Sequence, residues 1–383
     1  MDHHGPDPVA ANVDWRGVPG LERAQETKRH WERVTDLKTR LKAMIETSGP
    51  VSVATYMDLC LHDRRHGYYA TRPGLGSDFT TAPETSQIFG ELIGVWAAHE
   101  WQQMGAPNAF NLVEIGPGRG TLMADALRAT QSVPGFHAAL QLCFVEPSPV
   151  LRTNLNTRFV AVDPVFLSEL DTISTDRPFV LIANEWLDCL PMQQYVRVGA
   201  AWHERVIGLN ESNELTFGLK ADALPADLDA GDDREAIEVQ PGLKTLSETL
   251  KGLFDQTKGR ALLIDYGPSD HSPSDTLRAY KNGNQIHPLA APGESDLTCD
   301  VDFARLRRLA VRQGLQVNGP ISQSQFLLTL GAEARLNQLA KQHPSQADTL
   351  YAGVKTLVDP AEMGGRFQVM SLAHSDLQLA TGF

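Results

Sequence analysis

The stretch Val113 to Gly120, reading VEIGPGRG, narrows the possible folds more than any other part of this 383-residue chain. An apolar run ends in an acid, Gly116, Gly118 and Gly120 follow at alternate positions, and Leu122, Met123, Ala126 and Leu127 then fall at helical spacing. This reads as strand, tight turn, helix. Glycine removes the side chain where a backbone must turn sharply or take a ligand at close range. A second strand follows in LQLCFVE, and strand–helix–strand order predicts a parallel α/β sheet. Two further apolar runs, FVLIANE at 179–185 and ALLIDYG at 261–267, end in polar residues. Open α/β sheets place their ligands at those carboxyl ends.

The rest of the chain is arranged around that sheet. Before residue 110 the pattern is helical, with Leu37, Leu41, Met44 and Ile45 on one face and Ile88, Leu92, Val95 and Trp96 on another. Residues 62–84, rich in Gly, Thr and Pro, predict an ordered loop or a small hairpin between these helices. Residues 192–219 alternate with the period of strands and turn at Gly199 and at 210–213, which predicts an inserted β-meander and a candidate substrate cap. Residues 221–234 read as a solvated loop closing it. Residues 267–298, with four prolines, predict a long loop of the kind that forms lids. A helix from Phe303 and a last strand at 366–372 complete the chain. The expected division is an extension over 1–36, a helical region with its loop over 37–109, and a sheet domain over 110–383 that carries a cap insertion at 192–234 and the long loop at 267–298.

Charge and cysteine usage bound the function. Lys and Arg number 34 against 47 Asp and Glu, and the net −13 opposes contact with a phosphate backbone and suits a cationic substrate. No apolar run reaches the roughly 18 residues that span a bilayer, so membrane insertion is not expected. The start lacks a basic-then-apolar signal layout, and Asp14, Glu22, Glu26 and Glu32 interrupt the basic residues that a mitochondrial presequence would need. Cys60, Cys143, Cys189 and Cys299 lie far apart with no Cys-x-x-Cys pair, against a zinc knuckle or a thioredoxin motif. The expected location is a bacterial-type cytoplasm.

The glycines are spaced G-x-G-x-G, with Glu114 two residues before the first, and not G-x-G-x-x-G as in dinucleotide folds. This is the arrangement of S-adenosylmethionine-dependent methyltransferases. Their ligand has no pyrophosphate to seat on a helix, but its ammonium needs an acid near the strand end. Glu146 closes the second strand 26 residues after Gly120, near the distance at which an acid accepts hydrogen bonds from a ribose diol. Asn184, Glu185, Trp186, Leu187 and Asp188 follow a buried-looking strand, at the position where methyltransferases hold the acceptor atom. Glu185 and Asp188 could grip a guanidinium bidentately; the alternative is a cap and a structural ion pair.

Other polar residues fit blander roles. Thr81 and Glu84 have the spacing of a capping box opening a helix over 82–104. His62 and His66 stand at i, i+4, yet no third ligand sits at a recognisable spacing, and no metal is expected. Asp300 or Asp302 suits the N-cap of the following helix. Tyr68 and Tyr69 fit either core packing or a lid edge.

The order of these motifs, from HGYY and DFTTAPETSQIFGELIGVW through LVEIGPGRG, ANEWLDCLP and ALLIDYG to DLTCDVDFARLRR and GPISQSQFLLTLG, resembles the MidA family of S-adenosylmethionine-dependent methyltransferases. Mitochondrial members of that family are protein-arginine methyltransferases that act as assembly factors of respiratory complex I. The resemblance covers roughly residues 37–375. It implies a Rossmann-like class I methyltransferase sheet with a helical N-terminal region, S-adenosyl-L-methionine as cofactor, and no metal. The family's glycine motif falls on Glu114, Gly116, Gly118 and Gly120, its ribose acid on Glu146, and its post-strand segment on Asn184, Glu185, Trp186 and Asp188. The implied activity is arginine methylation of an NADH dehydrogenase subunit, in the cytoplasm or, as the alternative, in a mitochondrial matrix. A catalytically silent assembly chaperone that keeps the cofactor fold is the second expectation. The chain departs from the family at Gly74 to Phe79, reading GLGSDF where members tend to carry Gly-x-Glu-Gly-Asp-Phe.

Overall fold

The computed structural model describes residues 36–71, 80–221, 224, 234–271 and 274–383. The extension expected over residues 1–36, Asp36 apart, and the departing stretch at 74–79 lie outside the described residues. Seven strands form the central sheet: β1 (Phe110–Ile115), β2 (Leu140–Val145), β3 (Val165–Leu167), β4 (Phe179–Asn184), β5 (Gly259–Tyr266), β6 (Gln316–Ser322) and β7 (Phe367–Ala373). Their spatial order is β3-β2-β1-β4-β5-β7-β6. The first five run parallel. Strand β7 lies antiparallel between β5 and β6.

The helices used below are α1 (Leu37–Ser48), α2 (Val53–His62), α3 (Gln87–Gln103), α4 (Thr121–Ala129), α5 (Pro149–Arg158), α6 (Pro241–Phe254) and α7 (Phe303–Arg312). All six residues of β1 are buried, because helices cover both faces of a parallel sheet. Phe110 and Leu112 point to a core shared with Ile88, Phe89 and Trp96 of α3 and Leu122 and Met123 of α4. Val113 and Ile115 point to the opposite core, shared with Leu243, Leu246 and Leu250 of α6 and Phe303 and Leu306 of α7. Alternate residues of one strand thus feed two cores. At the antiparallel edge, Arg260 of β5 reaches Glu100 of α3 with Nε to Oε2 at 2.7 Å, both side chains being 1% exposed.

Three features differ from the sequence expectation. Helix α3 falls before the boundary drawn at residue 109, yet it packs on the sheet, whereas Leu41 and Ile45 of α1 and Val53 and Met57 of α2 share a separate core with Ile207, Leu277 and Leu297. The expected meander belongs to a five-stranded antiparallel sheet that draws in Val51–Ser52 and Ala236–Val239, because Val51 and Ser52 pair with Ile207 and Val206, and none of its strands lines the cavity at the carboxyl ends of β1 and β4. The long loop at 267–298 holds a small three-stranded sheet, Arg278–Lys281, Asn284–Ile286 and Asp296–Thr298. Its hairpin turns at Asn282 and Gly283, with φ of 53° and 74°, the pair of left-handed residues that a two-residue turn requires.

The single helix expected over 82–104 is also interrupted. Residues Ala82–Thr85 form one short turn, and Ser86 (φ −157°) breaks the chain before α3. The Thr81 side chain makes no cap bond. Ser86 Oγ caps α3 instead, accepting from the Ile88 amide at 3.3 Å, and Glu84 turns to Arg119 at 3.3 Å. Asp302 caps α7 as expected, its Oδ1 accepting from the Arg305 amide at 2.6 Å. Among the described residues no helix is long and apolar enough to cross a membrane.

Candidate active site

From β1 the chain crosses to β2 on one side, while β4 lies on the other, so a crevice opens at the carboxyl ends of β1 and β4, where doubly wound sheets bind ligands. A cavity of about 590 Å³ lies there, within the range that holds a cofactor-sized molecule. Of the residues singled out by sequence, Glu114, Gly116, Gly118, Glu146, Asn184, Glu185 and Asp188 all line it.

The glycine turn keeps all three glycines in the left-handed region, with φ of 62°, 54° and 74° at 116, 118 and 120. A Cβ on Gly116 would stand 3.0 Å from Trp186 Cδ1, so its absence lets the indole pack on the turn. Gly120 does not line the cavity, which corrects its expected place among the cofactor contacts. A Cβ there would fall 2.6 Å from Phe159 Cε2 and 2.8 Å from Leu155 Cδ2; this glycine lets α4 start against the end of α5.

Three buried groups face the turn. Glu114 Oε2 has no hydrogen-bond partner, and burial pushes its carboxyl up to about 8. Asn184 Oδ1 is likewise buried and unpartnered, while its Nδ2 donates to Glu185 Oε1 at 3.0 Å. Glu146 accepts from the Ser148 amide at 2.7 Å through Oε1, and burial raises its pKa. Buried acceptors without partners carry a desolvation cost until a ligand supplies donors. An α-amino acid ammonium at Glu114 and Asn184, with a diol at Glu146, fits these atoms.

The other acids stand on the loop after β4. Glu185 adopts φ 52°, uncommon for a residue with a Cβ. Its Oε1 also accepts from the Ala82 amide at 2.9 Å, and burial pushes its carboxyl up to about 7. Asp188 Oδ2 accepts from the Thr298 hydroxyl at 2.7 Å and the Tyr266 hydroxyl at 3.0 Å, and those two hydroxyls also touch. The carboxyl end of β5 holds this loop at several points. The Ile264 carbonyl accepts from the Glu185 amide at 2.9 Å. Asp265 Oδ2 accepts from the amides of Leu187 (2.7 Å) and Asp188 (3.2 Å). Burial pushes both Asp188 and Asp265 upward.

Sequence reasoning missed Tyr266, which lines the cavity, and Asp265, which lies buried behind the wall and holds the loop after β4, although ALLIDYG ended where ligands gather. It gave His62 no functional role and left Tyr69 between core packing and a lid edge, and both line the cavity, as do Tyr280, Asp296 and Arg366. His62 and His66 do not converge: His62 Nε2 meets the Cys189 carbonyl at 3.3 Å, and His66 stands by Asp63 at 3.4 Å. Among the described residues, no group of three or more His, Cys, Asp and Glu could hold a metal ion.

Comparison with known proteins places this geometry. Residues 92–321 match the family model described as "Putative S-adenosyl-L-methionine-dependent methyltransferase". The human mitochondrial protein arginine methyltransferase NDUFAF7 is 35% identical over 379 residues, covering 90% of this chain and 85% of the relative. Its Drosophila melanogaster homolog is 32% identical, covering 97% and 95%. A superfamily member from Burkholderia thailandensis, crystallised with S-adenosyl-homocysteine, has the same fold, with a TM-score of 0.78 at 23% identity over 95% of this chain and 96% of that one.

Proposed function

The chain belongs to the family of S-adenosyl-L-methionine-dependent methyltransferases, and from that premise we propose that its acceptor is an arginine of a protein, a subunit of NADH dehydrogenase whose assembly the modification supports. The observation that carries this reading is the acidic wall beyond the glycine turn, where Glu185 and Asp188 line the cavity at the end of β4 and the fully buried Asp265 holds the Leu187 and Asp188 amides from behind. Two neighbouring carboxyls whose charge burial opposes suit a cationic side chain that restores it. The relatives' names point the same way. Four cysteines, all free and buried, support a reducing compartment, and we place the reaction in a bacterial-type cytoplasm.

In this reading Glu114 and Asn184 hold the cofactor's amino acid end and Glu146 its ribose, while Gly116 and Gly118 let it approach the backbone. S-adenosyl-L-methionine, when bound, supplies an electrophilic sulfonium methyl. The chain's own task is alignment, since most of the rate gain in such a transfer comes from holding the partners in line. Glu185 and Asp188 orient the guanidinium, which carries a proton at neutral pH because its pKa is about 12.5 or more. As the nucleophilic nitrogen loses that proton, Glu185 accepts it or balances the charge.

The deciding experiment incubates the protein and labelled S-adenosyl-L-methionine with a lysate lacking it, followed by mass spectrometry of the labelled band. Label on an arginine of an NADH dehydrogenase subunit is expected; label on another residue type overturns the acceptor assignment. Two binding results follow from the cofactor residues. Glu146→Ala should weaken S-adenosylhomocysteine binding by about 1–3 kcal/mol, read by calorimetry, because the diol would lose its acceptor. Glu114 is pushed up to about 8 in the free protein, so it is largely protonated at pH 7. An ammonium beside it lowers that pKa, and binding should release about one proton at pH 7. Calorimetry in buffers of different ionisation enthalpy measures the release, and Glu114→Gln should abolish it.

A further inference from the structure

The cavity has two unlike walls. One is the sheet's own, made by the glycine turn and the ends of β1, β2 and β4. The other is built largely by segments outside the sheet: His62 closes α2, Tyr69 stands in the short helix Tyr68–Thr71, and Tyr280 and Asp296 come from the small sheet. They face Asp188 and Tyr266.

This outer wall combines carboxylates with flat rings. The Tyr69 hydroxyl donates to Asp296 Oδ1 at 2.9 Å, and its ring stacks on His62, with centroids 5.8 Å apart and planes at 28°. The Tyr266 hydroxyl holds Asp188 in the same manner, at 3.0 Å. Each carboxylate therefore has one oxygen fixed by a tyrosine whose ring is part of the wall. Desolvation of the His62 ring lowers its pKa and so works against a positive charge there. The wall already holds one guanidinium: that of Arg366 lies 4.8 Å from the centre of the Tyr266 ring, on a side chain that is 57% exposed.

A cation that uses both features must be planar and broad, so that it stacks on a ring while its edge meets a carboxylate; a guanidinium does this and a compact ammonium does not. We propose that Tyr69 and Asp296 form the recognition element for a guanidinium-bearing side chain, making the N-terminal helices and the small sheet an acceptor lobe that sets specificity. The proposal rests on the arginine reading above and deepens it. It gives the HGYY motif a role that the cofactor site does not supply.

The test uses butylguanidine, butylamine and butylurea as probes, titrated by calorimetry into the protein saturated with S-adenosylhomocysteine. Wild type should bind butylguanidine at least about tenfold more tightly than either of the others. Tyr69→Phe should weaken butylguanidine binding roughly three- to tenfold, and Asp296→Asn about tenfold or more, with S-adenosylhomocysteine affinity unchanged in both. Tyr69→Phe removes a single hydroxyl and keeps the ring, so it decides the matter should Asp296→Asn fold poorly. If wild type binds butylurea or butylamine as well as butylguanidine, the arginine reading falls and this proposal with it. If wild type prefers butylguanidine but Tyr69→Phe leaves its affinity unchanged, the acceptor lobe alone is overturned and the arginine reading stands.

Discussion

Glu185→Gln is expected to bind S-adenosylhomocysteine with wild-type affinity and to lose about 10²- to 10³-fold in the rate of methyl transfer, the usual cost of removing one well-placed electrostatic group. The glutamine oxygen can still accept from the Ala82 amide and Asn184, the bonds that Glu185 Oε1 makes now, so the left-handed turn at this position is kept. Only the charge is removed. The carboxyl is pushed up to about 7 by burial, so in the free enzyme it gains its charge as pH rises through that value. Wild-type kcat/KM should therefore rise with pH through about 7, and the Gln variant should lack that limb. Single-turnover methylation within a few fold of wild type would reduce Glu185 to a holder of the 81–82 turn and take away the main residue-level support for an arginine acceptor.

The second large effect lies far from the chemistry. Arg260→Met should lower the free energy of unfolding by about 3–5 kcal/mol, because it strands the buried Glu100 carboxylate. Arg260 Nε meets Glu100 Oε2 at 2.7 Å, and the same guanidinium reaches Ser371 of β7 at 3.3 Å and the Gln378 carbonyl. Once the arginine is gone, that carboxylate keeps the hydrogen bond from the Thr381 amide at 2.9 Å, with His99 Nδ1 4.0 Å away. Urea denaturation followed by circular dichroism measures the loss. The double variant Glu100→Leu, Arg260→Met should recover most of it, since replacing both members of a buried pair with apolar groups removes the unpaired charge. A single variant as stable as wild type would mean that water reaches Glu100 once the arginine is cut back.

What could be read from the sequence is what is local. Continuous apolar runs announced β1, β2, β4 and β5, because strands covered on both faces have no polar side to show. The glycine turn and the acids at the strand ends were legible for the same reason: short spacing fixes their relative places. Gly120 was misjudged because a glycine that admits Phe159 reads the same as one that admits a ligand. The hairpin at Asn282 and Gly283 carried its own signal, an Asn-Gly pair between short alternating runs, but the surrounding prolines drew the reading toward loop. The outer wall was legible only as a lid-type loop at 267–298 and a candidate lid edge at Tyr68 and Tyr69; the pairings that build it were not. Tyr69 meets Asp296 and Tyr266 meets Asp188 across long stretches of chain, and no periodicity encodes such a meeting. Nor could the sequence show that β7 lies between β5 and β6, since pairing partners distant in the chain leave no local pattern.

That placement of β7 bears on how the protein is made. Synthesis runs from the N-terminus, and β1, β2 and β4 with their helices leave the ribosome long before Phe367–Ala373 exists to pair with β5. Until then the β5 edge that carries Asp265 and Tyr266 lies open, and Arg366 is missing from the cavity wall. A nascent chain thus holds a finished glycine turn beside an unfinished cavity. S-adenosyl-L-methionine stabilises only the state it binds tightly, so its help reaches the protein once Phe367–Ala373 has paired with β5. During translation the exposed strand edge must be guarded by other means, such as chaperones or rapid completion of the chain.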